Sequence, residues 1–260
     1  MPEFRKLFAK LGPQAPGSEA HTAINEFPIT PLPTLLETEI DERFANLQLA
    51  LKDTPYARLL GPLSQYFTLY KNYLLPLILK THSVNARALV FELVASGWNA
   101  PSDVAAIKTL FPHSLIRASD LNITSVQFTN RTWDDLSKIY PFEEFGQNVS
   151  IVQSDAANLR RTVPSANIIS ILGIGPTIED TELPSLLFKS AVALSARGSL
   201  LIATAIEEDE IPLINNALKT NPGFQVLQEG KPSLQIGDRY IWIAQRVDYP
   251  RIRKPVTLRD

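Results

Sequence analysis

The hydrophobic and polar positions of this chain change period near residue 85. Before it, apolar positions recur at three and four residues, the spacing of one helix face. Phe4, Leu7, Phe8 and Leu11 make such a stripe, closed by Gly12-Pro13. A helix this short does not hold in water alone, so it should dock on its own domain or on a subunit neighbour. Residues 12 to 34, rich in proline and small polar residues, predict a linker or arm. From Thr34 to Thr81 the pattern is helical, with breaks expected at Pro62 and Pro76. Residues 1–84 are therefore expected to be an N-terminal arm and helical extension.

Beyond it, short apolar runs alternate with helical patterns: "RALVFELV", "SLIRAS", "VSIVQS", "NIISILGI" and "GSLLIATAI". Helices are expected between these five, beginning near Ser102, Asn122, Ala156 and Glu182. Ser102 stands as N-cap after Pro101, with Asp103 in the first turn. That alternation predicts an α/β fold, a doubly wound and mostly parallel sheet with helices on both faces. "GFQVLQEG" and "DRYIWIAQR" follow with no helix between them and predict an antiparallel pair at the sheet edge. The sheet has seven strands on this count, in a domain spanning residues 85–260.

Composition narrows the function classes. With 25 basic and 27 acidic residues the net charge is −2, which gives no electrostatic reason to expect nucleic acid or an anionic membrane as partner. The absence of cysteine excludes disulfides, thiolate metal sites and cysteine nucleophiles. No apolar run is long enough for a signal peptide or a membrane span, so a cytoplasmic location is expected. Three Asn-X-Ser/Thr triplets, at Asn122, Asn130 and Asn148, are accordingly read as chance. None of His21, His82 and His113 falls on a strand-end loop, and no local group of residues is spaced for a metal. The acidic run "EEDE" at 207–210 reads as a solvated helix start.

Five β-α units followed by an antiparallel pair resemble the class I S-adenosylmethionine (SAM) dependent methyltransferases over residues 85 to 247. The local support is "SDAANL", similar to that family's "GDAxxL" after the third strand. The resemblance implies SAM as cofactor, with S-adenosylhomocysteine as product, bound on the loops after the first four strands. On the first loop, "ELVASGWN", Glu92 matches the family's acidic position and Ser96 with Gly97 the end of its turn. Val94 and Trp98 stand near positions where glycine is usual.

At the end of the second strand Asp120, followed by Leu121, matches the carboxylate that accepts hydrogen bonds from ribose hydroxyls; the other reading is a cap for the next helix. Asp155 and Ala156 match the adenine contacts after the third strand, and Leu172 and Gly173 flank the cofactor after the fourth. The family's Pro-Pro-aromatic motif for methylating nucleic acid bases is absent. The acceptor is therefore expected to be a small molecule, held by Tyr66, Tyr70, Tyr73, Trp98 and Ile174 beneath a lid of the N-terminal helices. Tyr66, Tyr70 and Tyr73 also fit one face of a helix packed on the sheet. Those helices also offer a surface for a second copy or a protein partner. The alternative is a methyltransferase-like fold without methyl transfer, motivated by the glycine-poor first loop. No GxGxxG follows the first strand, which leaves a nicotinamide-dependent oxidoreductase without support.

Overall fold

The computed structural model describes the chain from Thr34 to Val247, apart from residues 82–88, 95, 141–144, 156–165, 173–190, 193–194, 206–207, 222 and 234–238. The helix expected over residues 4–11, the arm, and the helices expected from Ala156 and Glu182 lie outside the described residues. Helix α1 (Thr34–Lys52) leads through a 3-10 turn (Ala57–Leu59) into α2 (Leu60–Leu69). Pro62 does not break α2 as expected, because it lies in the first turn, where a missing N–H costs no helical bond.

Pro76 does perturb the helix, and the π-helical turn before it fits its chemistry. In a regular α-helix its ring would collide with the Asn72 carbonyl four residues back. The chain instead opens into a π-helical turn, Tyr70–Leu74, in which the Leu75 N–H donates to the Tyr70 carbonyl. Helix α3 (Leu75–Thr81) follows.

The strands are β1 (Val90–Val94), β2 (Leu115–Asp120), β3 (Val149–Gln153), β4 (Ala166–Leu172), β5 (Ser195–Ala205), β6 (Phe224–Ser233) and β7 (Arg239–Arg246). They form one sheet in the order β3-β2-β1-β4-β5-β7-β6. The first five are parallel, and β7 inserts antiparallel between β5 and β6. Both faces are apolar, as a sheet covered on two sides requires. Phe91, Leu93, Ile116, Ile168 and Ile202 share one core with α1 to α3, α4 (Ala100–Leu110) and α5 (Ile123–Ile139). Val94, Ile169, Ile171, Leu201 and Trp242 form the other, with α6 (Glu210–Thr220).

The N-terminal helices are part of the first core: Tyr66, Phe67, Leu69, Leu74 and Ile78 are buried in it, and α2 packs along α4. Phe44 of α1 stacks on Phe67 with ring centroids 3.8 Å apart. One expected cap is corrected. Helix α4 starts at Ala100, two residues before Ser102, because the 3-10 turn Gly97–Asn99 already sets the helical path. Ser102 is buried and donates instead to the Leu59 carbonyl at 3.3 Å, tying α4 to the turn before α2.

Helix α5 is capped by Asn122, whose Oδ1 accepts from the Thr124 and Ser125 N–H groups at 2.9 and 3.4 Å. Asn122→Ala should lower stability by about 1 kcal/mol, read as a shift in urea midpoint. The start of α6 is only partly solvated, since Glu208 and Asp209 are exposed while Glu210 is buried.

Candidate cofactor site

In the strand order β3-β2-β1-β4-β5 the connections reverse direction at β1, which opens a crevice outside the carboxyl ends of β1 and its neighbours. Asp120 ends β2 at this crevice and joins three loops. Its Oδ2 accepts from the Gly97 N–H of the first loop at 2.7 Å, and its Oδ1 from the Asn122 N–H at 2.7 Å. Its backbone carbonyl accepts from the Ser154 N–H after β3 at 2.9 Å. An ionised carboxylate has about four acceptor positions, so these contacts orient the group and leave acceptor capacity for a ligand.

The first loop lies close on the end of β2. The Ser96 N–H donates to the Ser119 carbonyl at 3.0 Å, extending the sheet beyond β1. Gly97 follows with φ +59°, a conformation that strains any residue with a Cβ, and the space where a Cβ would stand is open. Val94, expected from the resemblance to stand near a glycine position, is still within β1 and buried in the second core. It needs no unusual backbone there.

Glu92 lies mid-strand rather than at the mouth of the crevice. It is the register partner of Arg117 on β2, whose Nε donates to Oε2 at 2.5 Å. Burial pushes the Glu92 carboxyl above its ordinary range, and Arg117 pulls it back. Leu121 is exposed on the second loop, Asp155 is exposed after β3, and Leu172 is half-buried at the end of β4. Ala156, Gly173 and Ile174 lie outside the described residues.

The aromatic residues expected to hold an acceptor divide. Tyr66 and Tyr70 are buried in the core and Tyr73 is half-buried. The Tyr70 hydroxyl donates to Asp103 Oδ1 at 2.5 Å and lies 2.8 Å from Ser170 Oγ of β4, a fully enclosed polar group linking the π turn, α4 and the sheet. Burial pushes the Asp103 carboxyl up to about 7 against the pull of the Tyr70 hydrogen bond. Nothing local in the sequence marks Asp103 as more than a first-turn residue of α4, because its partner lies 33 residues away in the chain. Trp98 is exposed beside Gly97, packed on Phe128 of α5 with ring centroids 5.2 Å apart.

Among the described residues no group of three or more His, Asp and Glu is gathered as a metal site. No helix among them is long and apolar enough to cross a membrane.

Solved structures share this architecture. A SAM-dependent methyltransferase from Aquifex aeolicus aligns over 78% of this chain and 98% of its own, at 13% identity and a TM-score of 0.51. The fold is that of the class I SAM-dependent methyltransferases. The pyocyanin biosynthetic protein PhzM aligns over 76% of this chain and 60% of its own, at 15% identity and a TM-score of 0.50. TrmN from Thermus thermophilus aligns at 19% identity and a TM-score of 0.46 over 79% of this chain, which spans about half (53%) of TrmN. No protein-family model matches the sequence. No curated protein matches it either.

Proposed function

We propose that this chain binds SAM on the loops after β1 to β4 of its methyltransferase fold and transfers the methyl group to a small-molecule acceptor. The observation that carries the reading is Asp120, oriented by the Gly97 and Asn122 amides at the crevice with acceptor capacity to spare. A carboxylate held this way suits the two ribose hydroxyls of an adenosyl group. Ser96, Gly97, Leu121, Asp155, Ala156, Leu172 and Gly173 are the remaining proposed cofactor contacts. Glu92, committed to Arg117, acts by holding β1 to β2.

When bound, the cofactor's sulfonium supplies both the methyl group and the leaving group. The chain's task is then to align the acceptor and exclude water, which needs no histidine base. Tyr73, in the π turn of the N-terminal helices, and Ile174 are the proposed acceptor contacts. A net charge of −2 supports a small acceptor over a polyanion.

Calorimetric titration with SAM and with S-adenosylhomocysteine tests the reading. Binding is expected, and Asp120→Ala should weaken it by about 1–3 kcal/mol, the scale of a hydrogen bond to a charged group. Absence of heat and of thermal stabilisation with both ligands would refute it.

One observation favours a second reading, a methyltransferase fold that transfers no methyl group. The Ser96 and Gly97 amides, which a cofactor loop would offer to its ligand, are engaged by Ser119 and Asp120. The same titration gives no signal if cofactor binding is lost, and release of S-adenosylhomocysteine from SAM in the presence of an acceptor separates a chain that transfers the methyl group from one that only binds the cofactor.

A further inference from the structure

Trp98 has no counterpart in a glycine-rich cofactor loop, and its surroundings are specific. It is 51% exposed, whereas Trp133 and Trp242, the other two tryptophans of the chain, are buried. An indole left half in water forgoes apolar burial worth on the order of 1–2 kcal/mol, which makes its position informative. Its ring is nevertheless held. It tilts at 55° against Phe128, and the Arg58 guanidinium lies 5.3 Å from the centroid of the Phe128 ring. Arg58 belongs to the 3-10 turn before α2, so three elements fix the platform.

The platform stands next to the oriented carboxylate. Gly97, the residue before Trp98, donates to Asp120, and Leu121, the residue after Asp120, is 67% exposed. The Gly97–Asp120 bond thus brings an open aromatic ring, an open aliphatic side chain and a carboxylate onto adjoining loops. A flat heteroaromatic ring stacks on an indole. A vicinal diol attached to that ring is what a carboxylate with free acceptor positions recognises.

We infer that Trp98 is the stacking platform for the base of an adenine nucleoside whose ribose hydroxyls bond Asp120. The chain thereby replaces the close backbone cradle of a glycine-rich loop with an aromatic contact. The inference rests on the proposed SAM binding, and Trp98 serves in it as a cofactor contact in place of the acceptor contact expected from sequence.

Because Trp98 is the exposed tryptophan, iodide quenching of the fluorescence of the full chain reports on it directly. Titration with S-adenosylhomocysteine, and separately with adenosine, should protect Trp98 from iodide. Trp98→Ala should weaken S-adenosylhomocysteine binding about 5- to 100-fold, the range for losing one stacked base, and Trp98→Phe should restore most of it. Circular dichroism confirms that each variant is folded.

Binding of S-adenosylhomocysteine with unchanged affinity in Trp98→Ala, and with Trp98 still open to iodide, overturns the inference and leaves the SAM reading standing. Protection by adenosine without any binding of SAM or S-adenosylhomocysteine supports the platform and refutes the methyltransferase reading. No protection and no binding by any of the three refutes both.

Discussion

Asp103→Asn should make the protein more stable at pH 8 while changing it little at pH 4. Asp103 is fully enclosed between the π turn and the sheet, and its carboxyl is raised from 3.8 to about 7, first by burial, with the Tyr70 hydroxyl pulling the other way. Burial, with the same carboxylate beside it, holds the Tyr70 hydroxyl well above its ordinary range. A raised acid keeps its proton in the native state after the unfolded chain has released it. Stability from the neutral form is therefore complete below about pH 4, declines as the pH rises toward 7, and is level above that.

The span from 3.8 to about 7 corresponds to roughly 4 kcal/mol. Asparagine carries no charge at any of these pH values and keeps an oxygen for the Tyr70 hydroxyl. Urea midpoints of the wild type should fall between pH 4 and 7, and those of the variant should not show this decline. Parallel profiles for the two proteins would mean that Asp103 stays ionised in the native state.

Arg117→Ala should cost about 3–5 kcal/mol, because it leaves the Glu92 carboxylate buried with its cation removed. The loss should come from the orphaned charge more than from the pair itself. The double variant Glu92→Gln with Arg117→Met, which removes both charges and keeps the volumes, should recover most of the stability. A double-mutant cycle in urea measures this. A cost under about 1 kcal/mol for Arg117→Ala would show water screening the pair as it does at a surface.

The π turn and the first loop show how side-chain chemistry and topology combine in the candidate site. Pro76 prevents a regular helix through Asn72, and the wider turn that results carries Tyr70, which is tied to Asp103 and Ser170. Asp103 lies in the helix that follows the first loop. The helical extension is thus hydrogen-bonded to the element that also bears the Gly97–Asp120 contact at its N-terminal approach.

Much of the fold was legible along the chain. Apolar runs such as "VFELV" and "NIISIL" lie between helical patterns and are strands in the structure. Period and turn residues are local properties, and the alternation of strand and helix constrains a sheet to be mostly parallel. Asp120 was legible for the same reason, as an acidic residue at the end of an apolar run. Asn122 as the cap of α5 was not, because Asp120 and Asn122, two polar residues on either side of Leu121, compete for one capping position. Backbone geometry gives it to the residue whose oxygen reaches the Thr124 and Ser125 amides.

Glu92 shows where local reading stops. By position it resembles a cofactor contact, but its partner is chosen by strand register, which sets Glu92 opposite Arg117. Tyr70 sits on the expected helix face, yet only the packing of three elements decided that its hydroxyl meets Asp103 and Ser170. Trp98 likewise needed α5 folded beside the first loop before it could rest on Phe128. The sequence by itself determined the fold class, the strand ends and the carboxylate at the second of them, since these follow from patterns a few residues long. Tertiary structure alone decided which polar groups are used up and which face outward, since partners far apart in sequence meet only when the strand order and register bring them together.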